Sequence, residues 1–109
     1  MDYHAHIYWG TPTERYTAMA IREWFTNQPG CTLGRVWDQP VGPHPLPMYQ
    51  VVYSTYNKDF IESFLRVNHE TNSILLHESI KDDLRDHSEG VRWLGPELQL
   101  KLEIFLQEN

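Results

Sequence analysis

Tyr3-His4-Ala5-His6-Ile7-Tyr8-Trp9, running into Gly10-Thr11-Pro12-Thr13-Glu14, decides how this chain folds. The opening stretch is short, aromatic and rich in β-favouring residues, and Gly10 closes it, so it reads as a strand. Thr11 then supplies a helix cap, and Pro12 suits the first helical position, where a missing N–H costs nothing. Tyr16, Met19, Ala20, Ile21 and Trp24 recur at three-to-four spacing, which predicts a helix to about Thr26 before Asn27-Gln28-Pro29-Gly30 stops it. Side chains alternate across a strand, so Ala5 and Ile7 share one side and His4, His6 and Tyr8 the other. The apolar set belongs against the helices, and the histidines then look toward an open sheet face.

Outward from this unit, Thr32 to Asp38 reads as a second strand and Met48 to Ser54 as a third. Between them, Pro40 to Pro47 holds four of the 7 prolines and forms a stiff loop. Asn57 caps a second helix with Phe60, Phe64, Leu65 and Val67-Asn68 near one face, and Asn72 marks its exit. Ser73 to His77 is a fourth strand, and Lys81 to Gly90 a charged, short helical turn. Leu98, Leu100, Leu102, Ile104 and Leu106 alternate with period two, which predicts an extended tail, although Glu, Gln, Lys and Leu also favour helix. The order strand, helix, strand, strand, helix, strand predicts an α+β class: a ferredoxin-like βαββαβ antiparallel sheet with both helices on one face. The whole of 1–109 is expected to form one domain.

The chain has 109 residues, with 9 Lys+Arg against 15 Asp+Glu and a net charge of −6. That acidic balance argues against nucleic acid or anionic lipid as a partner, since either needs a basic face. A single cysteine, Cys31, excludes an internal disulfide and a cysteine-rich zinc module. No apolar run is long enough for a membrane span and no targeting segment opens the chain, so the expected location is cytoplasmic. A sheet face bearing aromatics needs a cover, which a second copy of the chain would provide as a homodimer.

Function is read from the 6 histidines. His4 and His6 lie two apart in a strand, on one face about 7 Å apart along it. Such a pair either leans onto one metal ion or decorates a solvated surface. In a ferredoxin-like sheet the first and last strands are neighbours, which brings His77 toward His4 and His6. His44 sits in Gly42-Pro43-His44-Pro45, where flanking prolines hold the backbone as a catalytic group would require, or where an incidental exposed histidine would also fit. His87 follows an acidic stretch, and Asp86 or Glu89 would orient its ring; it would equally serve as a cap. His69, at a helix exit, reads as structural, because a helix C-terminus welcomes an imidazolium. Jointly, these imidazoles suit Fe(II), Zn or Ni, or acid/base work on a phenol or catechol.

Tyr3-His4-Ala5-His6-Ile7-Tyr8, Gly34-Arg35, Pro40-Val41-Gly42-Pro43-His44-Pro45, Leu76-His77, and Asp82-Asp83-Leu84-Arg85-Asp86-His87-Ser88 with Trp93-Leu94-Gly95 resemble the DOPA 4,5-dioxygenase family. These motifs occur in the same order and extend from about Tyr3 to the leucine-rich tail. The resemblance implies a ferredoxin-like, commonly dimeric subunit that opens a catechol with O₂ by extradiol cleavage. It marks His4, His6, His44, His77 and His87 as the matching histidines. The expected division is His6, His77 and His87 on Fe(II), with Zn or Ni as substitutes in a purified sample, and His4 and His44 beside them as support, in proton transfer or as substitute ligands. The chain departs from the family pattern at Glu78-Ser79 and Trp37, which bears on the catechol accepted. The alternative is a non-catalytic protein of the same fold that binds a metal or an aromatic ligand.

Overall fold

A computed structural model describes residues 2–80 and 82–106. Strand β1 (Asp2–Tyr8) leads through helix α1 (Pro12–Phe25) to a short β2 (Thr32–Leu33) and to β3 (Met48–Ser54). Helix α2 (Lys58–Asn68), β4 (Ile74–Ser79), a single-turn α3 (Asp83–Asp86) and β5 (Val91–Leu94) follow, and a 3₁₀ helix occupies Leu102–Leu106. The sheet is antiparallel, in the order β2-β3-β1-β4-β5. This is the ferredoxin-like arrangement with one more strand on the outer edge of β4.

The two faces of the sheet follow the alternation of β1. Ala5 and Ile7 join Tyr49, Val51 and Tyr53 of β3 and Ile74 and Leu76 of β4 against Ala18, Ile21 and Phe25 of α1 and Ile61 and Leu65 of α2. A smaller cluster on the opposite face is built from Tyr8, Met48 and Leu75, with Trp93, Leu98 and Leu100 packed around it. Thr11 caps α1 as expected, its Oγ1 accepting from the N–H of Glu14 at 3.1 Å. Asn57 precedes α2 without a side-chain cap, because its Oδ1 accepts from the Ser54 N–H at 2.9 Å instead.

Several expectations are corrected. The buried face of α2 is Ile61, Glu62 and Leu65, while Phe60 and Val67 are exposed. Phe60 and Phe64 turn to Trp24 of α1, with the Trp24 and Phe64 rings stacked 3.5 Å apart. Likewise Tyr16 of α1 is exposed, and Ala18 and Phe25 carry the burial with Ile21. The second strand is shorter than Thr32 to Asp38: after Leu33 only Trp37 pairs again, with Met48. Val91–Leu94, given no element from its sequence, pairs with β4. The tail is not a strand. Gly95, at φ +72°, turns the chain off the sheet, and Leu98 and Leu100 pack on the second cluster without a ladder. The Lys101 N–H donates to the Pro43 carbonyl at 2.8 Å, and the chain then coils into the 3₁₀ turn. The expected turn at Lys81 to Gly90 is present as α3, with Lys81 itself outside the described residues, as is the end of the tail beyond Leu106.

Candidate functional site

β1 is the central strand, so a side chain midway along it is walled by both neighbours. On the face away from α1 and α2, His6 is 3% exposed and lies between Gln50 of β3 and Leu75 of β4 in register. His4 is directly opposite His77 across the β1–β4 ladder. His44 arrives from the proline-rich loop, which a turn closed by its own N–H on the Val41 carbonyl folds back over the sheet. His87 arrives from the end of α3. The sequence expected these rings to converge, and the structure brings all five together. Ring centroids are 5.2 Å apart for His6 and His77, 4.5 Å for His6 and His44, 5.1 Å for His4 and His77, and 5.0 Å for His77 and His87. Nitrogens of His4, His6 and His77, and again of His6, His44 and His87, approach within 4.8 Å of one another. His6 belongs to both sets.

The hydrogen bonds orient four of the rings. His77 Nδ1 lies 3.2 Å from the Glu78 carbonyl and His87 Nδ1 lies 2.8 Å from the Asp83 carbonyl. A carbonyl only accepts, so each Nδ1 carries the proton and each Nε2 keeps its lone pair. His44 Nδ1 meets the Tyr8 hydroxyl at 2.8 Å, a partner that can donate or accept. His6 Nε2 lies 3.1 Å from His77 Nε2, so His6 donates there, and its own Nδ1 is left buried without a partner. The expected carboxylate orienter of His87 is absent. Asp86 is buried, but it accepts from the Ile80 N–H at 3.1 Å and the Ser79 hydroxyl at 3.5 Å, and it is the main-chain carbonyl of Asp83 that holds His87. His44 is buried too, which removes the reading of an incidental exposed histidine.

Burial sets the charge state. Desolvation, aided by neighbouring imidazoles, lowers His44 to about 4 and, against a hydrogen bond to Glu78, lowers His77 to about 4. The same causes push His6 well below its ordinary value. Burial lowers His4 as well, opposed by the charge of Asp86. Near neutral pH these rings are uncharged and present lone pairs, the form a metal requires. Burial also raises the Tyr8 phenol, which stays protonated beside His44. An all-nitrogen donor set with no thiolate fits a borderline divalent ion such as Fe(II), Zn or Ni. The unpartnered Nδ1 and the facing Nε2 pair mark a site whose polar groups are incompletely satisfied by the protein alone.

Phe105 of the 3₁₀ turn escaped the sequence reading and lies 5.4 Å from the His87 ring. Tyr8, placed on the histidine face by the alternation of β1, reaches His44. Tyr49 and Tyr53 are core, bonded to the Ala18 carbonyl and to Glu62. His69 caps the C-terminus of α2, away from the cluster. A cavity of about 360 Å³ opens beside the cluster, lined by His6, His44 and His87 together with Arg35, Trp37 and Asp83.

Comparison with known proteins gives a consistent result. The model of the Dopa 4,5-dioxygenase family matches residues 3–104. DOPA 4,5-dioxygenase of Amanita muscaria is 31% identical over 109 residues, covering 93% of this chain and 48% of that protein. An uncharacterised 21.2 kDa protein of Botryotinia fuckeliana is 29% identical over 84 residues, covering 70% of this chain and 46% of that protein. The chain thus spans about half the length of the curated relatives it matches. The crystal structure of a proposed dioxygenase from Nostoc punctiforme superimposes with a TM-score of 0.89 at 37% identity, covering 97% of this chain and 90% of that one.

Proposed function

Because this chain belongs to the Dopa 4,5-dioxygenase family, we propose that it is an extradiol dioxygenase, opening the ring of a catechol-bearing small molecule with O₂ at the histidine cluster. The observation that carries this reading is the convergence of His4, His6, His44, His77 and His87, remote in sequence, into one cluster, three of whose rings (His6, His44 and His87) line a cavity wide enough for a planar diol. His6, His77 and His87 would hold Fe(II), a set that takes one further ring from each of the two nitrogen groups that share His6. His77 and His87 have their Nδ1 protons committed to main-chain carbonyls, which leaves Nε2 as the ligating nitrogen; at His77 a metal would take the place of the contact from His6 Nε2. When bound, the iron supplies the Lewis-acid and redox chemistry that favours the catecholate and lets it react with dioxygen.

The remaining chemistry belongs to the chain. His44 exchanges a proton with the substrate hydroxyl: with Nδ1–H donated to Tyr8, Nε2 becomes a base on the cavity side. Its lowered pKa keeps it neutral until an anionic catecholate beside it raises that value. His4, half-buried beside His77, is the second proton carrier or a substitute ligand. Rigid strands hold these groups, so positioning is prepared before substrate arrives. We also propose that the chain acts as a homodimer, since Trp93, Leu98 and Leu100 remain only partly buried along the histidine face.

Anaerobic reconstitution with Fe(II), followed by air and a panel of catechols, tests the proposal. A yellow ring-opened product with consumption of one O₂ per catechol is expected. Silence toward DOPA, protocatechuate and caffeate, with iron demonstrably bound, overturns it in favour of a non-catalytic metal- or aromatic-ligand-binding protein.

A further inference from the structure

Arg35 enters the same cavity from a segment fixed on both sides. Gly34 donates its N–H to the Gln50 carbonyl at 2.7 Å, and a Cβ at Gly34 would come within 3.3 Å of that oxygen, so glycine is what lets this segment lie so close to β3. Two residues beyond Arg35, Trp37 and Met48 exchange both main-chain hydrogen bonds, at 2.9 and 3.0 Å. The guanidinium lies 4.0 Å from the centroid of the Trp37 ring, which stacks it at the cavity wall. No carboxylate among the described residues forms an ion pair with it. Arg15, Arg85 and Arg92 are each paired with an acid, while Arg22 and Arg66, which do not line this cavity, share with Arg35 the lack of an ion pair among the described residues. In a chain of net charge −6, an exposed guanidinium stacked on Trp37 and lining a histidine cavity offers a donor fork to an anionic ligand that enters there.

We propose that Arg35 determines specificity by binding a carboxylate on the side chain of the catechol, so that the preferred substrates are catecholic acids. This rests on the ring-cleavage reading for the identity of the diol, but the anion contact itself does not. Among the described residues Asp83 is the one acidic side chain lining the cavity and would favour an ammonium group instead, which makes a cationic catechol the competing outcome.

Binding is measured anaerobically on the Fe(II)-loaded protein for 3,4-dihydroxyphenylpropionate, the neutral 4-propylcatechol and the cationic dopamine. 3-Phenylpropionate, which lacks the diol, is the fourth ligand. The wild type is expected to bind the catecholic acid about fivefold more tightly than the neutral catechol, the upper end for an ion pair that stays solvent-exposed. Arg35→Gln abolishes that ratio and leaves the affinity for 4-propylcatechol unchanged, whereas Arg35→Lys keeps part of it. An equal affinity for acid and neutral ligand in the wild type, a ratio retained in Arg35→Gln, or a preference for dopamine each overturns the assignment. If 3-phenylpropionate binding weakens in Arg35→Gln while no diol outcompetes it, the anion contact stands and the catechol reading fails.

Discussion

The residues of the cluster divide by what each nitrogen already does. His77 and His87 have one nitrogen tied to the main chain and no hydrogen bond to Tyr8 or His44, so replacing either with alanine would remove a proposed ligand and leave the Tyr8–His44 pair in place. His6→Ala and His77→Ala are expected to lose stoichiometric iron by elemental analysis. His44→Gln is expected to keep its iron while kcat falls about a hundredfold, the usual size of a lost acid/base group. Loss of iron in His44→Gln would place that ring among the ligands. Much at this scale was legible: the parity of β1 alone put His4, His6 and Tyr8 on one face. The carbonyl that holds His87 was not, because its identity depends on the turn of α3 and not on the chemistry of the side chains nearby.

At the scale of elements, the joints matter more than the strands. Glu62 of α2 is 3% exposed and is held by Arg92 of β5 through bonds of 2.7 and 2.8 Å, by the Tyr53 hydroxyl at 2.7 Å, and by Lys58 at 3.4 Å. Burial would raise its pKa, but these hydrogen bonds and charges carry it down to about 2. Arg92→Leu strands that carboxylate, and chemical denaturation is expected to show a loss of about 2 kcal/mol, below the range for fully buried pairs because Arg92 is half exposed and Lys58 remains. Gly95 is the second joint. A Cβ there would fall 2.3 Å from the Asn72 carbonyl oxygen, at φ +72°. Gly95→Ala is expected to cost about 3 kcal/mol, the upper end for local backbone strain, and to loosen the tail from the histidine face. The sequence hid both joints. Nothing in the alternation of Leu98 to Leu106 distinguishes a strand from a tail that lays its leucines on an existing cluster, since either buries every second residue.

For the whole molecule, the buried neutral histidines couple stability to pH. His44 and His77 titrate near 4 when folded and near 6.5 when free, so between those values the unfolded chain binds more protons. Stability therefore rises with pH through that window and is lost on acidification, and the lowered Glu62 adds a loss of the same sign below the ordinary carboxyl value of 4.5. Thermal melts of the metal-free protein are expected to show Tm falling steeply from pH 6.5 toward 4, with a shallower slope in His77→Asn. Sedimentation at micromolar concentration tests the dimer, which a monomeric boundary would exclude. Among the described residues no helix is long and apolar enough to cross a membrane.

The order of strands and helices, the face to which each β1 side chain points, and the set of histidines were determined by sequence alone, because strand alternation and helix capping are local and repeat every two to four residues. Which face of α2 is buried, the pairing of β5, the path of the tail, and the bonds by which His44 and His87 are held beside the β1 histidines were decided only in three dimensions. Those depend on contacts between segments far apart in the chain, where a local pattern is compatible with several partners and the packed core selects one.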